Sequence, residues 1–363
     1  MQDIVTNRQL FFLIFISTVT ASIMDISKTI ALSAGRGAWV TIALSSVVYA
    51  AAAAIIIGVN KTLDGKTVFD PGNKPAGKIA VFFVSLFYLS FFFTLSVYYC
   101  NSFILVVKTN FLPNTPIWSD LLASTTLLGY IAYKGITNAG RLAEIVTPLF
   151  LAVASIIFLL MFFEGHINYI LPLYDASERL SYLTAMKDTI VPFIGFAILT
   201  VVPIKAKSQR KYSAVIFTLV FIGLFYIADV YGCYAMKGFD EIIFENYPLI
   251  DAIRLVQLPA VEFLQRLDVL YMTVGFMRVL VGKAVIYLSI VEIVCKMFAK
   301  ANRLLIVVLT GAAIYSASLL AGQGQIKPLM VKILSIESIA AAFIIQPLIL
   351  LILKVKKHAS KKS

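Results

Sequence analysis

The segment Thr18–Ala34, TVTASIMDISKTIALSA, decides how the chain is read. It continues the apolar run LFFLIFIS, yet it carries Thr18, Thr20, Ser22, Asp25, Ser27, Lys28 and Thr29. Ionisable groups inside a membrane span cost several kcal/mol unless they face protein, water or a ligand, so Asp25 and Lys28 need partners. Two readings stand. Spaced three apart, the two residues can pair on one helix face. Alternatively, the hydroxyls and small residues at Thr20, Ala21 and Ser22 mark a helix interruption whose free backbone groups hold a solute, an irregularity tolerated at depth where it lines a cavity.

Composition sets the class. Of 363 residues 60% are apolar and 14% charged, with a mean hydropathy of +0.91, which excludes an ordinary soluble domain. The leader MQDIVTNRQ lacks the pattern of a cleavable signal, so the first span is expected to remain in the protein. Cys100, Cys233 and Cys295 lie in apolar runs and read as packed thiols. With no clustered Cys/His ligands and no phosphate-binding or nucleophile-elbow motif, no metal, cofactor or enzymatic activity is expected.

Apolar runs of membrane length predict an all-α protein with ten spans, at 9–34, 38–58, 79–107, 117–134, 140–163, 186–204, 212–236, 261–293, 303–321 and 335–354. The sixth contains Pro192, Gly195 and Pro203, a second interruption five spans after the first. That spacing points to an inverted repeat with broken helices one and six, the first repeat at 9–163 and the second at 186–354, in one domain covering 1–363. A kinked packing helix is the plainer alternative for span six. The Lys and Arg bias places both termini in the cytoplasm, with 355–363 a basic tail. The net charge of +12 then lies on one bilayer face, toward lipid headgroups rather than nucleic acid.

Further polar residues sit at depth. Arg141 and Glu144, at the start of span five, read as an ion pair within the helix or a clamp between helices. Arg278 and Lys283 in span eight must face the bundle interior, where Asp25 or Asp229 can meet them. The stretch FENYPLIDAIRLVQLPA has helical spacing, is broken by Pro248 and Pro259, and reads as an interfacial or cavity-capping helix.

Several stretches together resemble the B-subunit family of bacterial spore germinant receptors, within the amino acid–polyamine–organocation transporters. They include NRQLFFLIF at 7–15, AGRGAW at 34–39, YIAYKGITNAGRLAEIVTP at 130–148, INYILPL at 167–173, PFIGFAILTVVPIK at 192–205 and FLQRLDVLYM at 263–272. The resemblance implies a five-plus-five inverted repeat that binds a small nutrient, an amino acid or sugar, between helices one and six. It implies an A-subunit with soluble domains and a lipoprotein C-subunit as partners in the inner spore membrane. It places the first break on Thr20, Ala21 and Ser22, near Asp25, and the second on Phe193, Ile194, Gly195 and Phe196. Phe91, Leu95 and Tyr98 from helix three and Gly282, Lys283 and Tyr287 from helix eight would flank the ligand. Where the family carries glycines in the first break, this chain has Thr20 and Ser22, and Ala197 replaces a frequent acid.

Two functions from different classes follow. One is a sensor in which solute binding shifts helix packing. The other is a proton- or cation-coupled amino acid transporter, in which Asp25 or Lys283 changes protonation or Lys283 stands in for a bound cation. A scaffold with a collapsed pocket is the third reading, since clustered Phe residues such as FYLSFFF pack helices.

Overall fold

The computed structural model describes residues 5–20, 22–70, 75–175, 177, 179–204, 211–256, 267–298, 300–322 and 326–362. Ala21 and the start of the eighth expected span, 261–266, lie outside them. Among the described residues the regular structure is helical throughout.

The first crossing is made in two pieces. Helix α1, Asn7–Thr18, begins with a capping box: Thr6 accepts from the Gln9 N–H while the Gln9 side chain accepts from the Thr6 N–H. It ends where Ser17 and Thr20 turn their hydroxyls onto carbonyls one turn back, Leu13 O and Ile16 O respectively, a competition that weakens helical continuation. A 3₁₀ turn, Ser22–Met24, leads into α2, Ile26–Ala34. Gly35, at φ +60°, reverses the chain into α3, Ala38–Leu63.

Then come α4, Pro75–Asn110, α5, Ile117–Lys134, and α6, Ile136–Glu164. The sixth crossing is again irregular. A short α7, Arg179–Thr184, passes into 3₁₀ geometry at Ala185–Thr189, one turn of α8 at Ile190–Phe193, and 3₁₀ again at Ile194–Thr200. Pro192 withholds an N–H there and Gly195 adds no helix-supporting side chain.

The remaining crossings are α9, Lys211–Lys237, then, after the short α10, Phe239–Ile242, and α11, Pro248–Leu255, come α12, Leu267–Met297, and α13, Arg303–Leu320. The last, α14, Lys327–Ile339, and α15, Gln346–Lys362, are joined by a π-helical bulge at Ala340–Ile345. Eight stretches among the described residues are long and apolar enough to span a membrane. The short α1 and the more polar α5 complete the expected order.

Helix α12 is the central post. It packs against α1, α4, α5, α6 and α13, and most of its residues are buried. Helix α11 packs on the 3₁₀ turn after α1 and against α9 and α12.

Ion pairs sit toward the helix ends. Glu144 does not pair with Arg141, which is exposed. It binds Arg8 at 3.3 Å and Gln9 at 3.2 Å, clamping α6 to α1, because those side chains of the first turn of α1 reach it across the crossing. Lys296 bonds Asp70 at 3.0 Å and Thr67 at 2.7 Å, tying the α3–α4 connection to the end of α12.

Two predictions follow from this packing. A Cβ on Gly282 would overlap Thr20 Oγ1 and lie 2.5 Å from Ile16 O, while one on Gly275, two turns earlier in α12, meets nothing within 4 Å. Gly282→Ala should therefore cost about 1–3 kcal/mol and Gly275→Ala should be neutral or stabilising by about 0.4–1 kcal/mol, read by thermal melting of the purified chain. Burial alone would raise the Asp70 carboxyl, but bonds from the Thr67 N–H and the Lys296 ammonium outweigh it and hold it below its ordinary value. Its stabilisation is present above the ordinary carboxylate pKa and lost as pH falls through the depressed one. The melting curves of the native chain and Asp70→Asn should differ at neutral pH and converge in acid.

Candidate functional site

The site is built around the end of α1. A helix that stops inside a membrane leaves carbonyls with no N–H to accept from, and no water nearby to replace it. Here Ile16 O accepts from Thr20 of the same segment, and the carbonyls from Ser17 to Thr20 are met by side chains from other helices. Tyr99 of α4 donates to Ser17 O at 3.2 Å. Tyr226 of α9 donates to Thr18 O at 3.3 Å and to Pro192 O at 2.9 Å, bridging the two broken crossings. Arg278 of α12 donates to Val19 O and reaches Thr20 O at 3.5 Å.

The sixth crossing is served in the same way. Ser17 Oγ, whose shortest contact is Leu13 O at 2.7 Å, also lies 3.2 Å from Gly195 O and shares its one proton between them. Buried Asn60 of α3 donates to Leu199 O at 2.6 Å and Val202 O at 3.2 Å. The two interruptions touch directly, since a Cβ on Gly195 would overlap the Ser17 and Thr18 backbone. Gly195 is thus the point where the chains cross, and it needs glycine for close approach.

The expected site residues divide into two groups. Thr20 and Ser22 are buried at the first break, Gly195 and Gly282 pack on it, and Lys283 follows Gly282 on α12. The Lys283 ammonium is buried, 4.5 Å from the Phe103 ring centroid and beside Cys100, with no ion pair among the described residues. Asp25 bonds Lys327 at the start of α14 at 2.8 Å instead of pairing with Lys28. Tyr98 and Lys327 line a small cavity of about 10 Å³ together with Asn101 and Met330.

The others have mainly aromatic and apolar neighbours. Phe91 packs in an aromatic group with Tyr88 and Phe92, and Leu95 is fully buried. Phe193 stacks on Tyr49 at 5.1 Å and meets Tyr226 edge-on, while Phe196 also lies on Tyr49. Tyr287 donates to Val307 O and faces a groove of about 480 Å³ between α5 and α13.

The sequence did not single out Tyr99, Tyr226, Asn60 or Lys327. Tyrosines in apolar helices look like core, and only their register against the breaks reveals them. Arg278 was visible as a charge at depth, without its partners.

A second polar group adjoins the first break. Asp229 of α9 is fully buried, accepts from Cys233 at 3.7 Å and has its Oδ2 without a partner among the described residues. Cys233 in turn lies 3.5 Å from Ser27 Oγ on α2. The Arg278 guanidinium lies 4.5 Å from the Phe150 ring centroid of α6, and Phe150 also packs on Tyr271.

Comparison with known proteins agrees with this architecture. A nucleobase-cation-symport-1 family transporter, Mhp1, in a closed conformation with bromovinylhydantoin bound, superposes with a TM-score of 0.62 at 12% identity, covering 93% of this chain and 76% of that one. MhsT in complex with L-phenylalanine gives 0.61 at 13% identity, over 95% of this chain and 97% of that one. The fold expected from the sequence, about ten crossings in a five-plus-five inverted repeat with the first and sixth broken, is therefore the fold observed. Among curated proteins, spore germination protein YndE of Bacillus subtilis (strain 168) is 19% identical over 261 residues, 71% of this chain and 72% of its own length. The spore germination protein family matches residues 4–326. With that match covering nearly the whole bundle, the chain is an integral membrane protein of the spore germination protein family, with a solute-binding or transport role.

Proposed function

We propose that the chain is a nutrient-sensing subunit of a germination receptor, binding a small solute such as an amino acid where its first and sixth crossings are broken. The observation that carries this reading is the pair of interrupted helices held face to face at depth, with carbonyls that accept from side chains rather than from helix N–H groups. Such groups complement the charged ends of a zwitterion. Thr20, Ser22, Gly195 and Gly282 form the proposed floor, with Tyr98 and Asp25 beside it and Lys283 on the α4 side, near Cys100 and Phe103. The buried Lys283 ammonium would take the ligand's carboxylate.

Gly195 and Gly282 leave little room in the present packing, so binding parts the helices. The resulting change would pass to an A-type subunit with soluble domains and a lipoprotein C-type subunit. In this reading residues 1–363 form one domain, repeats 9–163 and 186–354 face each other, and the termini and the basic tail at 355–363 are cytoplasmic, in an inner spore membrane or a bacterial cell membrane. Neither catalysis nor nucleic acid has a part in it.

A buried acid with an unmatched oxygen, Asp229, favours a second reading, proton-coupled amino acid uptake.

Two experiments test these readings. In titrations of purified chain with amino acids and sugars, Lys283→Gln should weaken carboxylate-bearing solutes about 10–100-fold, the worth of a charge-assisted bond. Undiminished affinity would remove Lys283 and this floor from the site. In liposomes, a pH gradient should drive no sustained accumulation of labelled amino acid if the chain only senses. Accumulation that is lost in Asp25→Asn or Asp229→Asn would establish transport.

A further inference from the structure

The first two orphan carbonyls, Ser17 O and Thr18 O, are met by neutral tyrosine hydroxyls. The next two are met by Arg278, a cation with no exposed surface. Burying a guanidinium costs several kcal/mol, so hydrogen-bond demand alone does not call for a charge where another hydroxyl would serve. Several features favour a positive charge at this position. It lies at the C-terminal end of α1, the negative pole of that helix. Asp229 stands within electrostatic range, with Oδ2 unmatched among the described residues. The face of Phe150 lies 4.5 Å away. The hydroxyl of Tyr271, also without a partner among the described residues, belongs to the same cluster. Carbonyls at an unwound half-helix end, joined by a carboxylate, are the oxygen set that binds a monovalent cation inside a membrane.

The geometry points to Arg278 as a tethered cation: its guanidinium fills a monovalent-cation site made by Val19 O and Thr20 O, with Asp229 beyond ion-pair distance as its counter-charge, so the chain needs no free Na⁺ there. Gly282 brings α12 hard against Ile16 and Thr20 one turn farther on. Lys283, the residue for which the sequence suggested this part, faces Cys100 and Phe103 of α4 instead. The inference goes beyond the sensing reading and does not depend on which solute binds.

The test is thermal melting of the full-length chain in NaCl, LiCl, KCl and choline chloride at equal ionic strength, without solute. The native chain and Arg278→Lys should melt alike in all four salts. Arg278→Ala and Arg278→Gln should melt lower in choline and recover saturably in NaCl, by about 3–6 °C for an ion well above its dissociation constant. Adding Asp229→Asn to Arg278→Ala should abolish that recovery, which separates a bound ion from a general salt effect. A native chain that needs Na⁺ overturns the proposal. So do neutral variants that melt alike in Na⁺ and choline, or that fold in none of the salts, since the free ion then cannot stand in for the guanidinium.

Discussion

A membrane helix that stops halfway must find new donors for the carbonyls it abandons, because each one left bare in hydrocarbon costs several kcal/mol. In this chain the abandoned groups run from Ser17 to Thr20, and their donors come from three different helices: Tyr99 of α4, Tyr226 of α9 and Arg278 of α12. Each bond fixes the depth and rotation of the helix that supplies it. Tyr226 also holds Pro192 O, and Gly195 meets the Ser17 and Thr18 backbone, so both interruptions are fastened to each other. The packing of α4, α9 and α12 around α1 is in this sense dictated by four peptide groups.

That dependence constrains how a solute enters. Glycines at 195 and 282 let backbone meet backbone, and the interior is closed where they do. A ligand arriving there does not drop into a void. Its ammonium or hydroxyl groups would have to replace tyrosine or serine donors on the same carbonyls, an exchange of hydrogen bonds rather than a gain of them. Exchanges of this kind are nearly balanced in energy.

The sequence made the architecture legible because its signals are local. Membrane-length apolar runs gave the order of crossings, and Pro192, Gly195 and the hydroxyl cluster at Thr18–Ser22 gave both interruptions. What stayed hidden was pairing across distance. Asp25 has Lys28 one turn away in sequence, yet it bonds Lys327 three hundred residues on. Glu144 has Arg141 beside it and takes Arg8 and Gln9. Periodicity tells which face a residue occupies and not which helix covers that face. The aromatic residues illustrate the same gap: the sequence does not reveal that Phe91 packs with Tyr88 and that Phe193 stacks on Tyr49.

The charges are arranged in two tiers, and the difference between them bears on how the bundle moves. Toward the helix ends lie partly exposed pairs, Asp25 with Lys327, Arg8 with Glu144 and Lys296 with Asp70. Pairs in contact with water contribute about 0–1 kcal/mol each, so water can separate one with little loss. At depth lies Arg278, fully enclosed, and removing a buried charge from its partners costs several-fold more. Opening therefore meets least resistance at the ends and most at the α1 break. Parting Asp25 from Lys327 frees α2 from α14, while Arg278 keeps the end of α1 on α12. The link between α1 and α2 is then the natural hinge, because its 3₁₀ turn, Ser22–Met24, is closed by a long bond, from the Asp25 N–H to Ser22 O at 3.3 Å.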